Sequence, residues 1–209
     1  MAQGKGGIRV VVIGGSLRPG NFTAKAAALV VDELGKAESV SAEWIDPAAL
    51  DLAFPGTDRH PGTSKALQER VSGATAVILA TPEYHGSYSA VTKLVIENLG
   101  FPSALAGKPV ALLGLAAGRI GAIQALGHLR SVCTHVGALV LPGSVSIAGV
   151  QGMFDAEGRC TDPATEKQVR SVATSVLDYI HGSICPKHTL EAMMREKAAR
   201  GPAAAAAKA

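Results

Sequence analysis

The residues most able to do chemistry concentrate in one early run, Gly14-Gly15-Ser16-Leu17-Arg18-Pro19-Gly20-Asn21-Phe22-Thr23. It follows an apolar segment, and a helical pattern opens at Asn21. Backbone N–H groups and the positive end of a helix dipole therefore converge on one spot. Ser16, Asn21 and Thr23 add neutral donors, and Arg18 adds a forked cationic one. That set suits a phosphate. Helix capping by one of the polar residues is the plainer reading, and both roles can hold together. An arginine at a helix N-terminus faces the unfavourable end of the dipole unless an anion is present, so Arg18 favours the phosphate. The run is neither GxGxxG nor GxxxxGK[ST], and no lysine stands at the Walker position, which argues against dinucleotide-fold and kinase-like readings.

A second run, Pro82-Glu83-Tyr84-His85-Gly86-Ser87, lies between an apolar segment and a helical pattern. Its glycine allows a ligand close to the backbone, and its amides can hydrogen-bond the edge of a planar heterocycle. Tyr84 is either a ring neighbour or a packing residue, and His85 alone reads as a solvent-facing loop residue. A third glycine-bearing loop is Ala117-Gly118-Arg119-Ile120-Gly121. No cluster of His, Cys and carboxylates has ligand spacing, so no metal site is expected. There is no GxSxG elbow and no cysteine with a histidine partner in sequence, so covalent catalysis has no support.

The elements that must position these runs alternate. Ile8 to Ile13 and Ala76 to Thr81 are apolar runs of the kind buried on both faces of a parallel sheet. Val110 to Ala116 is a third, and Ala138 to Leu141 a short one stopped by Pro142. Val40 to Asp46 alternates and suits an edge strand. Helical spacing is expected over Asn21–Lys36, Ser64–Gly73, from Ser89 with Val91, Leu94, Val95, Asn98 and Leu99 on one face, and from Ile120 through Val136. Asp162-Pro163 starts a last helix, and Cys185-Pro186 is expected to end it. Asp46 to Gly62 and Gly143 to Cys160 read as long loops. The fold class is α/β, a doubly wound five-stranded parallel sheet of order 2-1-3-4-5 with helices on both faces. The three loops follow strands one, three and four, at the carboxyl edge where such folds bind ligands.

The 209 residues divide into one domain over 1–182 and a peripheral arm and low-complexity tail over 183–209. A formal charge of +3 argues for neither nucleic acid nor a membrane surface. No apolar run approaches the roughly 20 residues of a membrane helix, and the N-terminus has no apolar signal core. Cys133, Cys160 and Cys185 are odd in number and lack CxxC spacing, which suggests reduced thiols and a cytoplasmic protein.

The first run, together with Thr81-Pro82-Glu83-Tyr84-His85-Gly86-Ser87-Tyr88-Ser89, resembles the NADPH-dependent FMN reductase family. That family's runs are GSLRxGSxN after the first strand and PEYNGSxP after the third. Gly114 to Gly121 is similar to its glycine loop after strand four, and the resemblance covers about residues 8–180. It implies a flavodoxin-like fold and a relationship to quinone, azo-dye and chromate reductases. Ser16, Arg18, Asn21 and Thr23, with Phe22 among them, would hold the FMN phosphate; Asn21 stands where Ser is common and Thr23 where Asn is common. Pro82, Glu83, Tyr84, His85, Gly86 and Ser87 would line the isoalloxazine largely through backbone groups, with His85 replacing the usual Asn. Ala117, Gly118 and Gly121 would approach the ring. Arg119 is a candidate for contact with NADPH, against a solvated loop arginine.

The implied activity is transfer of electrons from NADPH through FMN to a second acceptor, a quinone, azo compound, metal ion or free flavin. The flavin would carry the chemistry, so no catalytic side chain is expected. The resemblance also implies a homodimer or homotetramer with the flavin near the interface. The rivals are a flavodoxin-like FMN electron carrier that does not oxidise NADPH, and a non-enzymatic nucleotide-binding regulator.

Overall fold

A computed structural model describes residues 7–57 and 61–199. The expectations for the N-terminal residues, for part of the 46–62 loop and for the 201–209 tail lie outside them. The first of two compact units runs to Val176 and the second begins at Leu177.

In the first unit, β1 (Ile8–Gly14), β2 (Val40–Ile45), β3 (Ala76–Tyr84) and β5 (Pro109–Leu115) lie parallel in the order β2-β1-β3-β5. Register pairs include Val12 with Trp44, Val12 with Ile78, and Leu79 with Leu112. Beyond β5 the expected fifth strand is split. β6 (Leu139–Val140) and β7 (Val145–Ile147) both pair with β5, separated by Leu141–Ser144. Pro142 brings no N–H to the ladder and Gly143 turns the chain at φ 73°. The region read as a loop from Gly143 to Cys160 therefore contains a strand. With this pair counted as one position, the parallel order matches the doubly wound 2-1-3-4-5 arrangement.

Alternate residues of the central strands serve opposite faces. Val11, Ile13, Val77, Leu79, Val110 and Leu112 pack with Leu67 and Val71 of α2 (Pro61–Ser72), Val95, Ile96 and Leu99, and Leu126, Leu129 and Cys133. Val95 and Ile96 lie in α3 (Ala90–Glu97), and Leu126 to Cys133 in α4 (Ile123–His135). Val10, Val12 and Ile78 point the other way and are equally buried. This double burial explains the continuous apolar runs. α1 (Phe22–Gly35) packs against β1, β2 and β3 through its buried face of Ala26, Ala27, Val30 and Leu34. Cys133 is a core residue, and its burial pushes the thiol up to about 12, which suppresses the thiolate.

Three expectations need correction. The inward face of α3 is Thr92, Val95 and Ile96, with Val91 and Leu94 only half-buried, because Thr92 has hydroxyl partners in the interior. Ile120 and Ile123 do not face the core; they are 81% and 59% exposed at and before the start of α4. The helix that Asp162-Pro163 starts is α5 (Pro163–Tyr179), and Pro186 does not end the helical backbone that follows it. A π-helical turn, Ile180–Ile184, carries the backbone into α6 (Cys185–Ala199), with the Cys185 N–H donating to the Ile180 carbonyl. Proline lacks the N–H and crowds the carbonyl four residues back, and the wider turn relieves both demands. Leu190, Met193 and Met194 are exposed on α6.

Candidate functional site

The loop between β1 and α1 is shaped by its own side chains. Asn21 is the N-cap of α1: its Oδ1 accepts from the Ala24 N–H at 2.8 Å, and its Nδ2 donates to the Arg18 carbonyl at 2.8 Å. Ser16 is buried, and its Oγ accepts from the Arg18 N–H at 3.3 Å. The helix cap and the shape of the loop are thus one arrangement. The first turn of α1 contains no acidic residue, so no carboxylate of its own occupies the positive dipole end.

The second run is not a loop. β3 continues to Tyr84 and pairs antiparallel with β4 (Ser87–Tyr88), Glu83 with Tyr88 and Tyr84 with Ser87. The connecting residues His85 and Gly86 have φ of 51° and 72°, the positive pair that a two-residue type I′ hairpin requires. Asn-Gly is the favoured sequence there, and His is among the few other residues enriched at positive φ. The substitution of Asn by His85 is therefore compatible with the turn.

α4 fastens the hairpin. Its N-cap residue, Ala122, makes no side-chain cap. The free donors are met from elsewhere: Glu83 Oε2 accepts from the Ala125 N–H at 3.0 Å, and Ser146 Oγ from the Ala122 N–H at 2.8 Å. Ser87 Oγ lies 3.0 Å from His128 Nδ1, and a Cβ on Gly86 would meet Gln124 Oε1 at 2.9 Å. Gly121, at φ 79°, packs so closely on Ser146 that a Cβ would meet its Oγ at 2.5 Å.

These elements enclose a cavity of about 300 Å³. Ser16, Arg18, Asn21, Phe22 and Thr23 line one end, and Pro82, Glu83 and Tyr84 another, with Ala117 beside them. The Arg18 guanidinium carbon sits 4.9 Å from the Tyr84 ring centroid, so the cation bridges the two ends. His85, Gly86, Ser87, Gly118, Arg119 and Gly121 are outside the lining. His85 and Gly86 form the hairpin turn, Ser87 turns to α4, and Gly118 and Arg119 are exposed in the loop after β5.

The cavity wall also includes Pro19, Gly20 and Leu115, which lie within the runs singled out in the sequence without a role of their own, and Val150 and Gln151, which sequence reasoning missed. The last two come from the segment after β7, held by the Val150 N–H on the Ala116 carbonyl at 3.0 Å. Phe154, at 6.1 Å between ring centroids from Phe22, and the Asp155 carbonyl, which accepts from Lys25 Nζ, fasten that segment to α1. No residue type in the segment signals a ligand; only its place after the last strand, at the carboxyl edge, could have pointed to it. Among the described residues no group of His, Cys and carboxylates could hold a metal ion, and no helix is long and apolar enough to cross a membrane.

The family model described as NADPH-dependent FMN reductase matches residues 8–152. An NAD(P)H-dependent FMN reductase of Pseudomonas aeruginosa is 32% identical over 78% of this chain and 90% of its own length. A quinone reductase of Escherichia coli K12 is 29% identical over 83% of this chain and 95% of its own. Among solved structures, the flavoenzyme NAD(P)H:acceptor oxidoreductase FerB of Paracoccus denitrificans superposes with a TM-score of 0.68 at 26% identity, covering 84% of this chain and 98% of that one.

Proposed function

The chain belongs to the NADPH-dependent FMN reductase family, and from that premise we propose that its cavity holds FMN, phosphate against Ser16–Thr23 and isoalloxazine along Pro82–Tyr84. It is an NAD(P)H-dependent FMN oxidoreductase. The observation that carries the binding mode is the joining of a helix N-terminus without first-turn acids to a hairpin edge in one cavity. Bound FMN supplies the redox chemistry, accepting hydride from NADPH and delivering electrons to a second acceptor.

The side chains bind and orient. The α1 dipole and Arg18 offset the phosphate charge. Asn21 shapes the loop through its cap and its bond to the Arg18 carbonyl. Tyr84, beside Arg18, offers a flat face to the ring. Glu83 serves through its hold on α4, which fixes where the hairpin edge stands. Gly118 and Arg119, exposed beside Ala117, are available to the nicotinamide nucleotide.

The acceptor we assign is a small quinone, supported by the activity named for the Escherichia coli relative. A cytoplasmic homo-oligomer is part of the same proposal. Leu17, which lies between the lining residues Ser16 and Arg18, and Ile120 and Ile123 of the segment that follows Ala117 are exposed by 55%, 81% and 59% and are apolar surface that a second copy would cover.

The test is a titration of the purified protein with FMN, followed by NADPH oxidation with a benzoquinone acceptor under nitrogen. Stoichiometric FMN uptake and sustained NADPH consumption are expected. A protein that takes up no FMN refutes the site, and one that binds FMN but leaves NADPH untouched is an electron carrier.

A further inference from the structure

Beneath the phosphate end and the hairpin lie three hydroxyls that line no part of the cavity: Thr81, Ser89 and Thr92, exposed by 0%, 2% and 3%. Ser89 Oγ donates to the Gly15 carbonyl at 2.5 Å. Thr92 Oγ1 donates to Thr81 Oγ1 at 2.9 Å, and Thr81 Oγ1 donates to the Pro82 carbonyl at 3.1 Å. Each hydroxyl has one proton, and each proton is now placed. The network thus ends on two carbonyls, one in the phosphate loop and one in the hairpin. It also accepts the Ser89 N–H on Thr81 Oγ1 at 3.2 Å and the Thr92 N–H on Ser89 Oγ at 3.0 Å.

The bond to Gly15 has a directional consequence. In a trans peptide the carbonyl of one residue and the N–H of the next point to opposite sides. With the Gly15 carbonyl held inward, the Ser16 N–H is turned the other way, and Ser16 lines the cavity. Glycine has no side chain to resist rotation of that peptide. A rotated peptide would present a carbonyl oxygen to an anion in place of a donor.

We infer that Ser89 is a positioning residue for the anion cradle: by holding the Gly15 carbonyl it keeps the Ser16 N–H aimed at a bound phosphate. The family run PEYNGSxP carries proline at this position, which has neither N–H nor hydroxyl; in this chain Ser89 uses both. The inference rests on the FMN site proposed above only for the identity of the phosphate ester.

The test compares the wild type with Ser89→Ala and Ser89→Gly, measuring dissociation constants for FMN and for riboflavin, which lacks the phosphate, by quenching of flavin fluorescence. Glycine at a helix N-cap costs less than alanine, so Ser89→Gly serves if the alanine variant unfolds. Loss of one charge-assisted donor predicts an FMN dissociation constant about tenfold higher in both variants, with riboflavin changed by less than about twofold. Equal losses for the two ligands, or no loss, overturn the inference and leave Ser89 as a cap of α3 alone. A second arm uses inorganic phosphate against chloride at matched ionic strength, read as the shift in melting temperature. The wild type is expected to gain stability and Ser89→Gly not to; equal gains overturn the inference. A wild type that binds no FMN refutes the site proposal, and the inorganic phosphate arm then decides the role of Ser89.

Discussion

Gly15→Ala is the sharpest perturbation of the site, and its cost can be worked from distances. A Cβ at residue 15 would lie 2.1 Å from Thr92 Oγ1, 3.0 Å from the Ala80 carbonyl oxygen and 3.2 Å from Ser89 Oγ. The first contact is impossible, so the Thr92 side chain must rotate or the loop must lift. Rotation breaks the Thr92–Thr81 bond and the 3.0 Å contact of Thr92 with Ser89. One buried hydrogen bond at about 0.5–1.5 kcal/mol, together with about 1–3 kcal/mol of crowding around Ser89 and the rigid Ala80 carbonyl, gives a loss of about 2–3 kcal/mol. For a chain of this size that is a fall in melting temperature of roughly 4–12 °C. The assay is thermal unfolding by circular dichroism without flavin, on Gly15→Ala, Thr92→Ala and the double variant. Removing the Thr92 hydroxyl opens the space, so the double variant should lose less than the sum of the singles by about 1 kcal/mol. The Ala80 contact remains, so recovery is partial. Gly127→Ala is the control: its Cβ would meet nothing within 4 Å on an exposed turn of α4, and it should stabilise slightly. A Gly15→Ala melting temperature within about 1 °C of wild type, or strictly additive losses, would refute the reasoning.

Three other outcomes are expected. Arg18→Ala should weaken FMN binding by about 1.5–3 kcal/mol while sparing riboflavin, both read by flavin fluorescence; an unchanged FMN dissociation constant removes Arg18 from the phosphate. Glu83→Ala should cost about 0.5–2 kcal/mol in chemical denaturation because it uncaps α4, whereas Glu83→Gln keeps an acceptor for the Ala125 N–H and should lose less; identical losses would remove the cap. Burial would raise the Glu43 carboxyl, but hydrogen bonds from Arg9 and Arg70, each 2.5 Å, outweigh it and hold it below its ordinary 4.5. A carboxylate lowered in the folded state contributes stability above its unfolded value and loses it as pH falls through the folded one. Glu43→Gln should therefore lose stability at neutral pH and show a flatter decline from about pH 4.5 downward in acid unfolding; a parallel decline refutes the assignment.

What the sequence determined was what lies close along the chain. The β-branched runs specify strands buried on both faces, and their alternation with helices specifies the doubly wound sheet. The shape of the loop between β1 and α1 was equally legible, because Ser16, Arg18 and Asn21 make their bonds within three residues along the chain. The tertiary structure decided what depends on distant partners. Glu83 reaches Ala125 forty-two positions away, and Ser89 reaches Gly15 seventy-four positions away. No local pattern reports either bond. Thr92 looks misplaced on a core-facing helix until the hydroxyls around it are seen, and Val150 and Gln151 reach the cavity only because the segment after β7 is fastened to β5 and α1. Dipoles, caps and turn conformations act over a few residues and are written in residue types. Burial, partnering and cavity walls arise where separate segments meet, and they exist only once the sheet has brought those segments to the same edge.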